Sequence, residues 1–147
     1  MSLNIRPIVQ ADRDAWHRLW TAYLHFYGTA LPETTFASAF ARLTGEDPRF
    51  SGFLAMLDDV PVGLVHLIFD ESFWHPEGRI YLQDLYVDPD IRGKGVGRAL
   101  IEAVYSAADV AGRPNVWWLT QDFNATAREL YDRIGVKTPF IKYNRAG

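Results

Sequence analysis

Between Asp88 and Arg98 the chain reads Asp-Pro-Asp-Ile-Arg-Gly-Lys-Gly-Val-Gly-Arg, and these residue types in this order make an anion site. Pro89 fixes its own φ and disfavours helix at Asp88, so a preceding strand stops there. Gly93, Gly95 and Gly97 strip side chains from the turn, which lets backbone N–H groups approach a ligand and permits positive φ. The helix that follows adds unpaired N–H groups and the positive end of its dipole, and Arg92, Lys94 and Arg98 add full charge. Phosphate or pyrophosphate is the natural guest. The nucleotide-triphosphate loop is excluded, because Gly93-Lys94 is followed by Gly95 and not by Ser or Thr. The dinucleotide fingerprint is excluded too, because it needs glycine where this chain has Arg98. What stays is R-x-x-G-x-G, from Arg92 through Lys94 and Val96 to Gly97.

Other side chains that could meet a ligand lie elsewhere. Trp74 and His75 sit in the connection Phe73 to Gly78, and connections carry function more often than the elements they join. Tyr27 ends an apolar stripe of Trp16, Leu19, Trp20, Tyr23 and Leu24, a helical spacing dominated by aromatics that could serve the core or line a pocket. His66, inside an apolar run, reads as a hydrogen-bonded histidine of core or surface. With no cysteine there is no disulfide, thiolate metal site or cysteine nucleophile, and no metal is expected.

These residues need elements to hold them. The expected order is a strand at Asn4 to Val9 and a helix from Asp12 to Gly28. A second helix, opened by Pro32 at its first position or by Glu33-Thr34-Thr35, runs through Phe36, Phe40 and Leu43 to Gly45. Phe53 to Leu57 and Val62 to Phe69 form a hairpin, and Arg79 to Val87 is the strand feeding the glycine loop. A helix to Gly112, a strand at Val116 to Thr120, a helix capped by Asn124 to about Ile134, and a last strand at Pro139 to Tyr143 complete the chain. Strand, glycine turn, helix and strand make a parallel βαβ unit. The expected class is α/β in the α+β sense: one domain over residues 1–147, a mixed and mostly antiparallel sheet, a central parallel βαβ unit and helices on both faces.

The 147 residues are 48% hydrophobic and carry a net charge of −3, with no apolar run long enough to span a membrane. The N-terminus lacks an apolar signal core, so a cytoplasmic protein is expected. Residues 1–90 hold six Lys and Arg against thirteen Asp and Glu, net −7, and residues 91–147 hold nine against five, net +4. The second part suits an anionic ligand and the first would steer a cationic one. An acidic pI of about 5.7 argues against nucleic acid as a partner.

The loop Arg92 to Gly97 resembles the acetyl-coenzyme A loop of the GNAT superfamily of N-acetyltransferases, and the segment Asn124-Ala-Thr-Ala-Arg-Glu-Leu-Tyr131 makes the resemblance specific. In that family an asparagine on this helix contacts the pantetheine arm and a tyrosine seven residues later lies near the thioester sulfur. Seven residues advance a helix by about 700° and about 10.5 Å, which keeps both on one face. The segments Leu82 to Val87, Val116 to Thr120 and Thr138 to Tyr143 look like the small yeast-type acetyltransferases of histones, polyamines and D-amino acids, and more distantly like spermidine/spermine acetyltransferase.

The resemblance implies acetyl-CoA as co-substrate. Leu85, Tyr86 and Val87 would align its arm, Arg92 to Gly97 its pyrophosphate, and Asn124 its pantetheine. Tyr131 would be the general acid for direct attack by a primary amine of a small molecule, with a protein lysine as the alternative acceptor. The related pattern is Leu-Glu-Asp, where this chain has Leu82-Gln83-Asp84. Glutamine takes no proton at neutral pH, so the base is open among His75, Asp84, Glu71, Asp122 and a water chain. In a regular strand Asp84 would face away from Gln83 unless a bulge re-aims it. Gln83, Asp84, Trp74, His75 and Tyr27 are the expected acceptor-side residues, and the apolar last strand suggests a homodimer.

Overall fold

The computed structural model describes residues 2–147. Strand β1 (Leu3–Pro7) passes through a 3-10 turn at Gln10–Asp12 into helix α1 (Arg13–Phe26). Asp12 holds this corner: its carboxylate accepts two N–H groups of Arg6 and the backbone N–H of Val9, each at 2.8 Å. The Arg6 hydrogen bonds keep that carboxyl below the usual carboxylate range. Trp16, Leu19, Trp20 and Leu24 then recur at helical spacing and are buried. Helix α2 (Glu33–Thr44) adds Phe36 and Phe40. Of the two expected openings the one at Glu33 is found: Pro32 is the residue before the helix, its ψ of 157° extended.

Strands β2 (Phe50–Leu57) and β3 (Val60–Asp70) meet in a two-residue turn at Asp58 and Asp59, whose φ values of 49° and 65° are left-handed. Strand β4 (Arg79–Val87) lies antiparallel to β3, and β5 (Val116–Trp117) runs parallel to β4, giving the order β1-β2-β3-β4-β5. Helices α1 and α2 cover one face, packing on Ile8, Leu54 and Leu64. Helix α3 (Val96–Val110) covers the other through Val96, Leu100, Ile101 and Val104, joined there by Leu130, Tyr131 and Ile134 of α4 (Ala125–Ile134). Cover on both faces explains why β3 is buried without alternation from Val62 to Leu67.

The mixed, mostly antiparallel sheet with helices on both faces is as expected. Several bounds differ: β2 begins at Phe50 instead of Phe53, and β3 spans Val60–Asp70 instead of Val62 to Phe69. Strand β1 ends at Pro7 instead of Val9, and β5 has two residues instead of five. The expected last strand at Pro139 to Tyr143 is absent: Phe140, Ile141 and Tyr143 are 76%, 75% and 86% exposed, and no strand is assigned there. β-propensity needs a neighbour to pair with. Without that strand, β5 is the sheet edge, so the parallel pair lies at the margin and not at the centre.

Candidate active site

The glycine loop has the form its composition dictates. Asp88 accepts the Asp90 N–H at 3.2 Å and starts a 3-10 turn at Pro89–Ile91. Gly93 and Gly95 follow with φ of 84° and 76°, and a Cβ at either would meet nothing within 4 Å, so the backbone faces open space. The first bond of α3 runs from the Ala99 N–H to the Gly95 carbonyl at 3.0 Å. The N–H groups of Val96, Gly97 and Arg98 are therefore left at the helix end without an acceptor inside the helix. The Val96 side chain is buried in the core, so only its backbone can serve a ligand. Arg98 leans along α3 to pair with Glu102 at 2.8 Å, and Arg92 and Lys94 are exposed.

Beside the loop the sheet forks. Strand β5 pairs with β4 only at Ile80↔Val116 and Tyr81↔Trp117, so on that side β4 is unpaired from Leu82 to Val87. Asn124 caps α4 on the far side of the fork, its side-chain oxygen accepting the Ala127 N–H at 3.4 Å, which leaves its NH2 group free to donate. Tyr131 packs edge-on against Trp118, ring centres 5.5 Å apart. Gly97 lets α4 come close to the loop: a Cβ there would lie 3.3 Å from Leu130.

A β-bulge sets which side chains face this fork. His66 pairs with Asp84 but Leu67 pairs with Leu82, so Gln83 is an extra residue in β4. Ile80 and Leu82 lie in the α3-side core. After the bulge Leu85 and Val87 join that core, while Tyr86 packs on the α1 side. The bulge thus sends Asp84 to the α1 side with His66, and Gln83 is exposed.

Around Asp84 stand tyrosines. Burial first and then the Asp84 charge raise Tyr23, Tyr27 and Tyr81 above the ordinary phenol range. Tyr131 is pushed up to about 12 by burial and then by Tyr27. Tyr81 stacks flat on Trp117 at 4.1 Å. The His66 Nδ1 lies 2.7 Å from the Asp84 Oδ2, and its Nε2 faces the Trp16 indole N–H at 2.9 Å. A carboxylate, a protonated phenol and an open strand edge leading to an anion loop can hold an extended anionic substrate and bring a cationic group to its far end.

The family model described as Acetyltransferase (GNAT) family matches residues 13–136. The chain belongs to the GNAT acetyltransferases. It is 38% identical to the D-amino-acid N-acetyltransferase HPA3 of Saccharomyces cerevisiae, over 99% of this chain and 94% of that one. It is 32% identical to the thialysine N-epsilon-acetyltransferase of Bos taurus, over 63% of this chain and 59% of that one. Its fold matches a solved structure of AAC(6')-Iy in complex with a CoA-S-monomethyl-acetylneamine bisubstrate analogue, with a TM-score of 0.87 at 18% identity, covering 100% of this chain and 99% of that one. This chain is an N-acetyltransferase.

In this GNAT acetyltransferase the structure gathers Tyr27, Asp84 and Tyr131 in one place, with Leu85, Tyr86 and Val87 on the open edge and Arg92 to Gly97 at its end. It does not bring Trp74 and His75 there. They line an open cavity of about 730 Å³ with Glu71, Ser72, Phe73, Arg79 and Phe140, at the opposite end of β4. His75 is engaged by Asn115 at 3.2 Å. Glu71 shares that cavity, and Asp122 lies before α4 with its carbonyl bound by Arg128. Of the side chains open as a base, Asp84 alone lies within the tyrosine cluster. Sequence reasoning missed His66 and Tyr81 as neighbours of Asp84, and from the aromatic stripe that could line a pocket it singled out Tyr27 and not Trp16 or Tyr23. The signal for His66 was a titratable residue inside an otherwise apolar central run. Among the described residues no three His, Cys, Asp or Glu side chains gather as a metal site, and no helix is long and apolar enough to cross a membrane.

Proposed function

We propose that this enzyme transfers the acetyl group of acetyl-CoA to the primary amine of a small cationic molecule by direct attack. The single observation that carries the proposal is the fork: an unpaired β4 edge from Leu82 to Val87 that has the open glycine loop at one end and the Asp84 carboxylate on its α1 side. The residues fit the co-substrate, since the backbone at Gly93 and Gly95 faces open space beside the free N–H groups at the start of α3, where a pyrophosphate would lie. When bound, acetyl-CoA supplies a thioester carbonyl.

Backbone groups of Leu85, Tyr86 and Val87 would hold the extended arm as a neighbouring strand does, and a β4 N–H near Leu85 would stabilise charge on the carbonyl oxygen. Asn124 would donate to the arm. Asp84 would receive the acceptor as an ammonium ion and take one proton, directly or through water, so that the nitrogen lone pair can attack. The new C–N bond forms as the C–S bond breaks, the sulfur leaves with the electron pair as a thiolate, and the Tyr131 phenol would donate a hydrogen bond to that charge, the general-acid role in its weaker form. The second proton leaves the amide nitrogen to solvent. The names of HPA3 and of the thialysine enzyme support amino acids and their analogues as the acceptor class, and the acidic balance of residues 1–90 supports a cation.

Coenzyme A release measured against D-amino acids, thialysine, polyamines and lysine-containing peptides tests this. Turnover of small amines supports it, turnover of peptides alone would replace the acceptor class, and acetyl-CoA binding with no turnover would favour an acyl-CoA-binding module, a reading that Gln83 in place of the related glutamate supports. We also propose a homodimer, in which the exposed Phe140, Ile141 and Tyr143 find the pairing partner that the single chain does not offer.

A further inference from the structure

Asp84 does not stand alone. Its Oδ2 is 2.7 Å from the Nδ1 of His66, and the Nε2 of that ring is 2.9 Å from the indole nitrogen of Trp16. His66 is 7% exposed and Trp16 1%. An indole N–H can only donate, so Nε2 must present its lone pair and the proton of a neutral ring must sit on Nδ1, aimed at the carboxylate. The arrangement also bears on charge. An imidazolium carries a proton on both nitrogens, and its Nε2–H would point at the Trp16 N–H, leaving two buried donors without an acceptor. Among the described residues His66 is the one basic side chain within ion-pair distance of the Asp84 carboxylate, and the Trp16 donor leaves its Nε2 without an acceptor for a second proton. The other groups acting on the carboxylate's surroundings are the phenols of Tyr23, Tyr27 and Tyr81, none of them cationic.

We propose that His66 is a positioning residue, locked by Trp16 as the neutral Nδ1–H tautomer, which fixes the Asp84 carboxylate by a hydrogen bond while leaving its negative charge uncompensated as the receptor for the acceptor's ammonium group. The bulge at Gln83 brings Asp84 opposite His66. Trp16 reaches across from α1, 50 residues away, which ties the acceptor site to the stacked rings of Trp16 and Trp20. The role of Asp84 as the ammonium receptor rests on the reading given under Proposed function; the tautomer does not.

Two measurements test this on the full chain. Nitrogen-15 NMR of the imidazole side chains near neutral pH, with His66 assigned by comparison with His66→Asn, should show Nδ1 protonated and Nε2 not; an Nε2–H tautomer or an imidazolium overturns the proposal whatever the substrate. Steady-state kinetics with the best acceptor of the amine panel give the second. Trp16→Phe, which removes the indole N–H and keeps an aromatic ring, should raise the acceptor KM about 5–10-fold with the acetyl-CoA Kd within about two-fold. His66→Leu should raise that KM about 10–30-fold, and His66→Asn, which retains an N–H toward Asp84, should recover most of the loss. In an Asp84→Asn background neither His66→Leu nor Trp16→Phe should have a further effect. Equal losses for His66→Leu and His66→Asn, or full additivity with Asp84→Asn, would reduce His66 to packing. If Asp84→Asn leaves the acceptor KM and kcat unchanged, the acceptor-site reading itself fails, and with it the purpose assigned to the tautomer.

Discussion

Removing the Tyr131 hydroxyl tests the chemistry, and the structure sets the size of the effect. Burial and Tyr27 push this phenol up to about 12, whereas a thiol ionises near ~8.5. Complete proton transfer from Tyr131 to a separated thiolate is then uphill. The phenol is better suited to donate a hydrogen bond to the charge developing on sulfur. A hydrogen bond to a charged group is worth about 1.5–3 kcal/mol, so Tyr131→Phe should lower kcat about 10–150-fold. It should leave acetyl-CoA affinity and the melting temperature nearly unchanged, because the ring keeps its edge-on contact with Trp118. Single-turnover measurements that isolate the chemical step are the proper assay. With Tyr131 protonated up to about 12, the wild type should show no loss of rate attributable to this group below about pH 10. An unchanged chemical step would remove Tyr131 from the reaction, and a loss beyond about 10³-fold would restore full proton transfer and refute the hydrogen-bond argument.

Three further outcomes are expected. Gly95→Val should abolish acetyl-CoA binding in calorimetry, since Gly95 holds φ of 76° before open space that a branched side chain would occupy; retained binding would sink the loop assignment. Asp12→Asn should destabilise the fold by about 1–3 kcal/mol in urea unfolding. Because Arg6 holds the folded-state carboxyl below its unfolded value, the wild-type advantage is fully present above the unfolded pKa and shrinks as pH falls through the folded one; an advantage that grew on acidification would contradict the pairing. If the proposed dimer forms, light scattering should find the wild type dimeric and Ile141→Asp monomeric; a monomeric wild type, or an unchanged mass for the variant, would refute an interface at this segment.

What the sequence disclosed was whatever glycine, proline and caps encode locally. The loop from Asp88 to Gly97 depends on residues within one turn of each other, and the Asn124 cap on residues three apart, so both were readable. The bulge was not, because it exists only in the register of β4 against β3, and nothing in Leu82-Gln83-Asp84 alone reveals that His66 will pair with the third residue. Trp16 and His66 stayed hidden among core residues for a related reason: the indole's donor finds its acceptor 50 positions away. Pro139 to Tyr143 misled in the other direction, as strand-forming residues that have no strand beside them.

The short β4–β5 pairing has a consequence for solubility. An unpaired strand edge is a template on which another sheet can grow, and natural sheets hide such edges. Here the exposed backbone from Leu82 to Val87 is the inner wall of a wedge that closes at Tyr81 and Trp117. One thin extended chain can slide into such a wedge, but a second sheet, carrying neighbours about 4.8 Å away on its own far side, cannot follow it to the apex. The shape proposed to take an elongated co-substrate would also refuse a growing aggregate, keeping hydrogen-bonding capacity free without presenting it to other molecules of its kind.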